Sequence, residues 1–216
     1  MKGLLLKDWY QVRTSMKAMY LTVAFVLVIW GLSTSSAYVF PVSYVAIFLG
    51  ILPVNLLSYD HASGWTEYSF ALPLSKELQV AEKYLVGLLC TAVSAALNGI
   101  FCGILFWMGK PLPAMPIGLL LGAGAASILL INGIMLPLYY RFGAEKARML
   151  YMLMFAGLGA LLGGGVAVMD ELQQNGTGSG PLPVPLWLAA VLLLAVLALY
   201  AVSWRVSVAW YGKYKK

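Results

Sequence analysis

Few residues in this sequence could carry out a chemical reaction. Asp60, His61 and Ser63 supply an acid, a base and a hydroxyl within four positions, and His61 is the only histidine in the chain. Neighbours in sequence do not converge on one reacting atom, whereas a hydrolytic triad is assembled from distant residues by the fold. We therefore expect no catalytic role here, and the chain is not predicted to be an enzyme.

Motifs for nucleotides and metals are also missing from the sequence. There is no G-x-x-x-x-G-K-[ST] phosphate loop, so we do not expect ATP to bind by that route. There is no H-E-x-x-H motif and no cluster of cysteine and histidine, so no metal site is predicted. Cys90 and Cys102 would lie about 18 Å apart along a helix, too far for a disulfide. No cofactor is predicted for this chain.

Segment 59–76 carries the sharpest pattern for an interaction. Written as a helix, it has an aromatic face and a polar face. The aromatic face consists of His61, Trp65, Tyr68 and Leu72. The polar face consists of Asp60, Ser63, Gly64, Glu67 and Ala71. Pro73 disfavours helix at Leu72, so the helix should end there. A short amphipathic helix of this kind either anchors at lipid headgroups or inserts into a groove on a partner protein. The composition favours neither.

A second polar segment, 140–148, follows a long apolar run. Gly143 is placed to cap the end of one helix, and Glu145 lies near the start of the next, where its charge suits the helix dipole. The rest of the segment is mostly basic and fits a solvated turn without any partner. Its side chains of interest are Arg141, Phe142, Lys146 and Arg148.

Three asparagines are the amide side chains within the apolar runs: Asn55, Asn98 and Asn132. The favoured interpretation is hydrogen bonding between helices, often worth about 0.6 kcal/mol for each bond in membrane proteins. Contact with a transported substrate is the alternative.

These segments must be positioned by membrane helices. Hydrophobic residues make up 62% of the 216-residue chain and charged residues 10%, with a mean hydropathy of +0.85. Soluble domains are about 25% charged, so a soluble enzyme and a disordered tail are excluded. We predict an all-α polytopic membrane protein, one domain over 1–216, with six spans free of charge at their centres. These are roughly 18–33, 38–58, 80–108, 115–139, 148–169 and 184–206.

The basic residues orient these spans. All lysines and arginines except Lys110 fall on one side of the six-span layout, together with both termini. The positive-inside rule places that side in the cytoplasm. The net charge of +6 is therefore interpreted as a topology signal, and no nucleic-acid partner is predicted.

Residues 1–16 are not apolar enough to span a membrane. As a helix they place Leu5, Trp9, Val12 and Met16 in one stripe, which predicts an amphipathic helix at the membrane surface. The alternative is the basic start of a signal peptide that continues through the apolar stretch near 18–32.

The N-terminal segment and both polar loops resemble the ABC-2 type permeases. The closest likeness is to the small six-span permeases of Gram-positive bacteria that include the phenol-soluble-modulin exporter membrane subunits. Three segments carry the resemblance: Met1 to Asp8, Asp60 to Ser75 with the following Lys83-Tyr84-Leu85, and Arg141 to Arg148. The six-span layout matches along the whole chain.

The resemblance implies a multi-pass permease of the bacterial cytoplasmic membrane that exports amphipathic peptides. The first loop would be a coupling helix docked on a separate cytoplasmic P-loop ATPase, which would hold the ATP and Mg. Trp65, Tyr68 and Leu72 would anchor this helix, and Asp60 and Glu67 would steer it toward basic ATPase surface. A second permease chain, the same or a sister subunit, would complete the pathway.

Other classes stay open at this point. A lipid flippase or secondary transporter without an ATPase would need an ion-coupling group, and no span has an ionisable residue at its middle. A membrane protease would need paired acids, whereas Glu67, Glu77 and Glu82 are spaced apart. A membrane scaffold without cargo is the third alternative.

Overall fold

The computed structural model describes residues 2–32, 39–110, 117–174 and 186–211, and the regular structure in these ranges is entirely helical. The helices in chain order are α1 (Lys2–Ser15), α2 (Lys17–Leu32), α3 (Val39–Ala62), α4 (Trp65–Ala71), α5 (Lys76–Trp107), α6 (Ile117–Gln174) and α7 (Leu186–Tyr211). The all-α prediction is confirmed.

Four of these helices contain stretches long and apolar enough to cross a membrane by themselves. They lie in α3, α5, the first part of α6 and α7, and the stretches are Pro41–Ala62, Lys76–Trp107, Ile117–Gly143 and Ala190–Tyr211. The 16 residues of α2 would extend about 24 Å, short of the ~30 Å hydrocarbon core. Joined with α1 across a 64° bend, α2 would make a fifth span. The structure thus supports four to five of the six predicted spans.

The second part of α6 covers the predicted span 148–169. Its backbone continues as helix to Gln174, but most of its side chains lie outside the described residues. The helical backbone is interrupted at Gly143, where φ is +80° and ψ is 176°. A residue with a Cβ rarely adopts this φ, which explains the glycine. The change of direction falls where a helix end was predicted.

The N-terminal helix α1 turns Leu4, Asp8 and Val12 inward at helical spacing. Of the predicted stripe, Val12 and Met16 are buried, Leu5 is half-buried and Trp9 is 62% exposed. The placement of this stripe at a membrane surface stays a prediction. Asp8 was not expected on the inward face, because apolar periodicity alone does not point to a carboxylate.

Segment 59–76 folds as two helices instead of one. Helix α3 continues to Ala62, the chain turns at Gly64 with φ at +71°, and α4 then starts at Trp65. His61 therefore belongs to α3 and does not share a helix face with Trp65. As predicted, the helix has ended at Leu72, whose backbone is extended before Pro73. Helix α5 follows, and its Ser75 cap accepts a hydrogen bond from the Leu78 N–H at 3.3 Å.

The core lies among α3, α5, α6 and α7. In the middle it is apolar, with Val45, Leu49 and Leu56 of α3 against Ile128 of α6. At the end that carries α4, five buried tyrosines join the apolar residues: Tyr84, Tyr139, Tyr140, Tyr200 and Tyr211. We call this the α4 end of the bundle.

Candidate functional site

Helix α4 presents an exposed surface at this end of the bundle. Tyr68 is 58% exposed, and Glu67 beside it is also exposed. Trp65 is half-buried, and its ring lies 5.6 Å from that of Tyr68. We define the α4 surface by its exposed residues, which are His61, Gly64, Glu67, Tyr68 and Pro73. Leu72 is half-buried at its edge.

The inner side of α4 is fixed directly to α1 and α5, and through Gln79 to α7. The Lys7 ammonium of α1 lies 4.7 Å from the centre of the Trp65 ring, a cation–π contact. Gln79 of α5 donates its amide N–H to the Ser69 carbonyl at 3.3 Å, and the Ser69 hydroxyl donates to Gln79 Oε1 at 3.2 Å. The Tyr211 hydroxyl of α7 donates to the same Gln79 oxygen. A displacement of α4 would therefore pull on α1, α5 and α7.

Behind α4 lies a buried cluster of charged side chains. Lys83 of α5 contacts Asp8 of α1 at 2.7 Å and Asp60 of α3 at 2.8 Å. Lys7 contacts Asp60 at 2.6 Å and Asp8 at 3.1 Å. The carboxyl group of Glu82 completes the cluster, with Oε1 at 3.9 Å from the Lys83 ammonium. We call these five residues the ion cluster.

The ion cluster changes the role of Asp60. A residue that steers docking must reach the partner, but Asp60 is buried and paired with both lysines. The expectation that Asp60 steers α4 toward a basic partner surface is therefore wrong. Glu67 keeps its exposed position.

Sequence reasoning missed four members of the ion cluster: Lys7, Asp8, Glu82 and Lys83. The two lysines were counted as topology signals that face water. One feature of the sequence could have indicated this cluster. Residues of opposite charge lie in three segments next to apolar runs, namely Lys7-Asp8, Asp60 and Glu82-Lys83. A buried ion pair requires such partners because a buried charge left unpaired is costly.

A cavity of about 60 Å³ adjoins the ion cluster. A water molecule needs about 15 Å³ on this measure, so the cavity has room for several. Its lining draws on α1, α3, α4, α5, α6 and α7 and includes Leu4, Asp60, Glu82, Gly143 and Tyr211. The start of α1, the bend in α6 and the end of α7 therefore meet at the same end of the bundle.

Tyrosine hydrogen bonds hold α7 and α3 in place next to the cluster. The Tyr84 hydroxyl is within 2.7 Å of both Ser203 Oγ and Ser207 Oγ on α7, and the Tyr200 hydroxyl donates to the Tyr84 carbonyl at 2.8 Å. The Tyr139 hydroxyl of α6 donates to the Leu57 carbonyl of α3 at 2.8 Å. None of these contacts was predicted.

The three asparagines differ in their environment. Asn98 donates to the Val42 carbonyl of α3 at 3.4 Å, which is the expected type of contact between helices. Asn132 donates to the Ile128 carbonyl of its own helix at 3.0 Å. The side-chain oxygens of Asn98 and Asn132 are buried without a hydrogen-bond partner. Asn55 is half-buried.

The second polar segment follows the first part of α6. The Arg141 guanidinium lies 5.1 Å from the Phe142 ring and 4.8 Å from the Trp210 ring of α7. Arg141, Phe142 and Lys146 are exposed. The side chains of Glu145 and Arg148 lie outside the described residues.

The fold and the site together define a helical, multi-pass membrane protein with a short interhelical segment exposed at one end. Over residues 3–212, the chain matches the sequence profile of a family described as ABC-2 family transporter protein. It therefore belongs to that family, whose permeases are membrane transport components that lack the ATPase and typically partner with an ATPase subunit. No curated protein and no solved structure matches the chain.

Proposed function

We propose that the chain is the permease subunit of an ATP-driven exporter and that α4 is the helix on which a separate cytoplasmic P-loop ATPase docks. One observation carries this proposal: α4 is exposed on one side, and on the other it is fixed to α1 and α5, and through Gln79 to α7. A partner that grips Tyr68 and Glu67 can therefore move several helices at once. ATP and Mg would be held by the ATPase, and two permease chains, identical or sister subunits, would form the pathway.

We infer that the α4 end faces the bacterial cytoplasm and that the chain crosses the membrane six times. Support comes from the chain ends: Leu4 of α1 and Tyr211 of α7 line the same cavity, as expected for an even number of crossings. The end of α3, the start of α5 and the bend at Gly143 meet at this cavity too. Exposed Arg141 and Lys146 at this end agree with the positive-inside rule.

We propose amphipathic or hydrophobic cargo, such as peptides, moved outward. The support is the apolar middle of the bundle, where Val42, Val45 and Leu49 are buried, while the charged residues of α3 and α5 lie toward one end of those helices. Such walls suit apolar surface better than a small charged solute. Lipids and hydrophobic antibiotics fit the same walls and are alternatives for direct transport assays.

The proposed docking predicts a large effect of removing both aromatic rings of α4. Buried aromatic anchors commonly contribute about 2 kcal/mol or more to an interface, which is roughly a thirtyfold loss of affinity. We expect the double variant Trp65→Ala, Tyr68→Ala to insert in the membrane but to lose ATPase binding and transport by that order. Co-purification of the ATPase with the tagged chain and cargo export from vesicles measure both.

Two further variants sharpen this experiment. Phe106→Ala, Trp107→Ala is the matched control, because these rings are 71% and 88% exposed at the other end of α5. Tyr68→Ala alone leaves the Trp65–Lys7 contact intact and should still weaken binding. Normal ATPase binding and transport by the double variant would overturn the docking assignment.

A second candidate function is transport coupled to an ion, without an ATPase. It is favoured by one observation, the burial of Glu82 beside a cavity, since ion-coupled transporters keep an ionisable group within the membrane region. If the wild-type chain is purified from its native membrane without any ATPase, this function or a scaffold role replaces the exporter.

A further inference from the structure

The ion cluster has more acidic than basic groups. The carboxyl groups of Asp8, Asp60 and Glu82 face the ammonium groups of Lys7 and Lys83. The two lysines each contact both aspartates, so these four charges balance one another. Glu82 is the carboxyl group left without a matching cation.

The position of Glu82 makes an unbalanced charge costly. Its side chain is 3% exposed, and its Oε1 atom is buried without a hydrogen-bond partner. The nearest ammonium, that of Lys83, is 3.9 Å away and already contacts both aspartates at 2.8 Å or less. A buried carboxylate in such a position carries a desolvation penalty of several kcal/mol unless something neutralises it.

The neighbours of Glu82 indicate what neutralises it. The carboxyl groups of Glu82 and Asp8 lie beside the same Lys83 ammonium, at 3.9 Å and 2.7 Å from its nitrogen. Two negative charges gathered around one cation repel each other, and a proton on one carboxyl group removes that repulsion. The residues that the structure describes contain no group of His, Cys, Asp and Glu arranged to hold a metal ion. The cavity that Glu82 lines gives water access to the carboxyl group.

We propose that Glu82 is a proton-binding site, filled and emptied through the cavity next to α4. With the proton on Glu82, the two aspartates and the two lysines balance one another. When the proton leaves to cavity water, one uncompensated negative charge remains between α1 and α5. Proton occupancy thus sets how firmly α1 is held against α5.

Other titratable groups face this site from the helices around it. They are Lys7 and Asp8 on α1, Asp60 and His61 on α3, Lys83 on α5, Tyr139 and Tyr140 on α6, and Tyr211 on α7. Histidine is the residue type that commonly changes charge between about pH 5 and 8, so His61 needs its own control.

The test is the thermal unfolding of the purified full-length chain in detergent as a function of pH. The folded chain holds a proton on Glu82 that the unfolded chain releases above about pH 5, because a solvated glutamate titrates near pH 4.3. Raising the pH from about 6 to about 9 should then lower the unfolding temperature by about 2–4 °C. Glu82→Gln, which keeps the shape and the donor, should remove most of this fall.

Two matched controls isolate Glu82. Glu77→Gln removes an exposed carboxylate from the first turn of the same helix and should keep the wild-type pH profile. His61→Asn removes the only histidine and should also keep it. A wild-type pH profile in Glu82→Gln would overturn the proposal. An unfolding temperature that depends on sodium or potassium concentration instead of pH would also overturn it, because the site would then hold a metal cation.

Infrared spectroscopy tests the same site even if Glu82→Gln does not fold. A protonated carboxylic acid has a C=O stretch that ionised carboxylates lack. We expect this band in the wild-type chain at neutral pH, its loss at high pH, and a shifted band in Glu82→Asp. A wild-type spectrum at neutral pH without the band would overturn the proposal. Neither measurement uses an ATPase or cargo, so the result is independent of the proposed exporter function.

Discussion

The α4 end and the middle of the bundle are held together by different forces. At the α4 end, charged and hydrogen-bonding side chains connect α1, α3, α4, α5 and α7, as in the contacts of Lys83 with Asp8 and Asp60. In the middle, α3, α5 and α6 meet mainly through apolar side chains, such as Val45, Leu56 and Ile128. Asn98 adds one hydrogen bond between helices there.

The difference teaches where the bundle is fixed and where it can rearrange. A hydrogen bond or ion pair has a preferred distance and direction, so it specifies one relative position of two helices. Apolar contact is not directional, so it specifies the relative position of two helices less sharply. We therefore expect the α4 end to move as a unit and the middle to adjust to it.

The largest expected effect comes from removing the centre of the ion cluster. Lys83→Met leaves Asp8 and Asp60 buried with only the partly exposed Lys7 as a partner. Breaking a buried ion pair by removing one member typically costs about 3–5 kcal/mol. We expect that loss in the free energy of unfolding, measured in detergent by denaturant titration.

The control for this variant is Lys76→Met, which removes an exposed lysine from the start of the same helix. Its effect should stay below about 1 kcal/mol, as for other solvent-exposed charges. Equal losses in both variants would mean that the cluster does not hold the α4 end together.

A smaller effect is expected where the hydrogen-bonded tyrosines pass close to a glycine. A Cβ on Gly87 would lie 2.4 Å from the Tyr200 hydroxyl oxygen, so Gly87→Ala should push Tyr200 away from the Tyr84 carbonyl. Overpacking of this kind costs about 1–3 kcal/mol. Thermal unfolding in detergent measures the loss.

The clash itself can be removed in a second variant. Gly87→Ala with Tyr200→Phe lacks the clashing oxygen and should recover part of the stability lost in Gly87→Ala. Gly99→Ala is the matched control on the same helix, because a Cβ there meets no atom within 4 Å. If Gly99→Ala were as destabilising as Gly87→Ala, the helix backbone and not Tyr200 would be the cause.

The smallest expected effect distinguishes two asparagines in the middle of the bundle. Asn98→Leu removes a hydrogen bond to α3, whereas Asn132→Leu removes one to its own helix. Both substitutions also remove a buried oxygen that lacks a partner, so that contribution is similar in the two variants. We expect Asn98→Leu to be the less stable by about 0.6 kcal/mol in the same denaturant titration. The reverse order would show that the middle depends on Asn132.

The apolar runs predicted much of the fold but little of the ion cluster. Long hydrophobic stretches identify α3, α5, the first part of α6 and α7, since a membrane helix must be apolar over about 20 residues. Tyr68 was expected to be available to a partner and is exposed, whereas Trp65 is half-buried against Lys7. Helix periodicity did not show that Asp60 faces inward, because its partners Lys7 and Lys83 lie in other segments.

Counting charges by side of the membrane did not show that Lys7 and Lys83 are paired inside the fold, for a related reason. The positive-inside rule uses the number of basic residues in a loop and takes no account of burial. Asp8 and Lys83 are 75 positions apart, and Lys7 and Asp60 are 53 apart. Pairs at such separations depend on how α1 packs against the bundle, which no local pattern contains.

The same separation has a consequence for the order of events during synthesis. A ribosome adds about 5–20 residues per second, so Lys83 is made roughly 4–15 s after Asp8. During that interval Asp8 can pair only with the adjacent Lys7. Packing α1 into the bundle before Lys83 has been made would bury Asp8 without one of its two cationic partners. Helix α1 is therefore expected to wait at the membrane surface and to be among the last to dock. Limited proteolysis of newly made chains tests this delay. We expect α1 to be accessible to protease at first and to become protected once α5 has emerged.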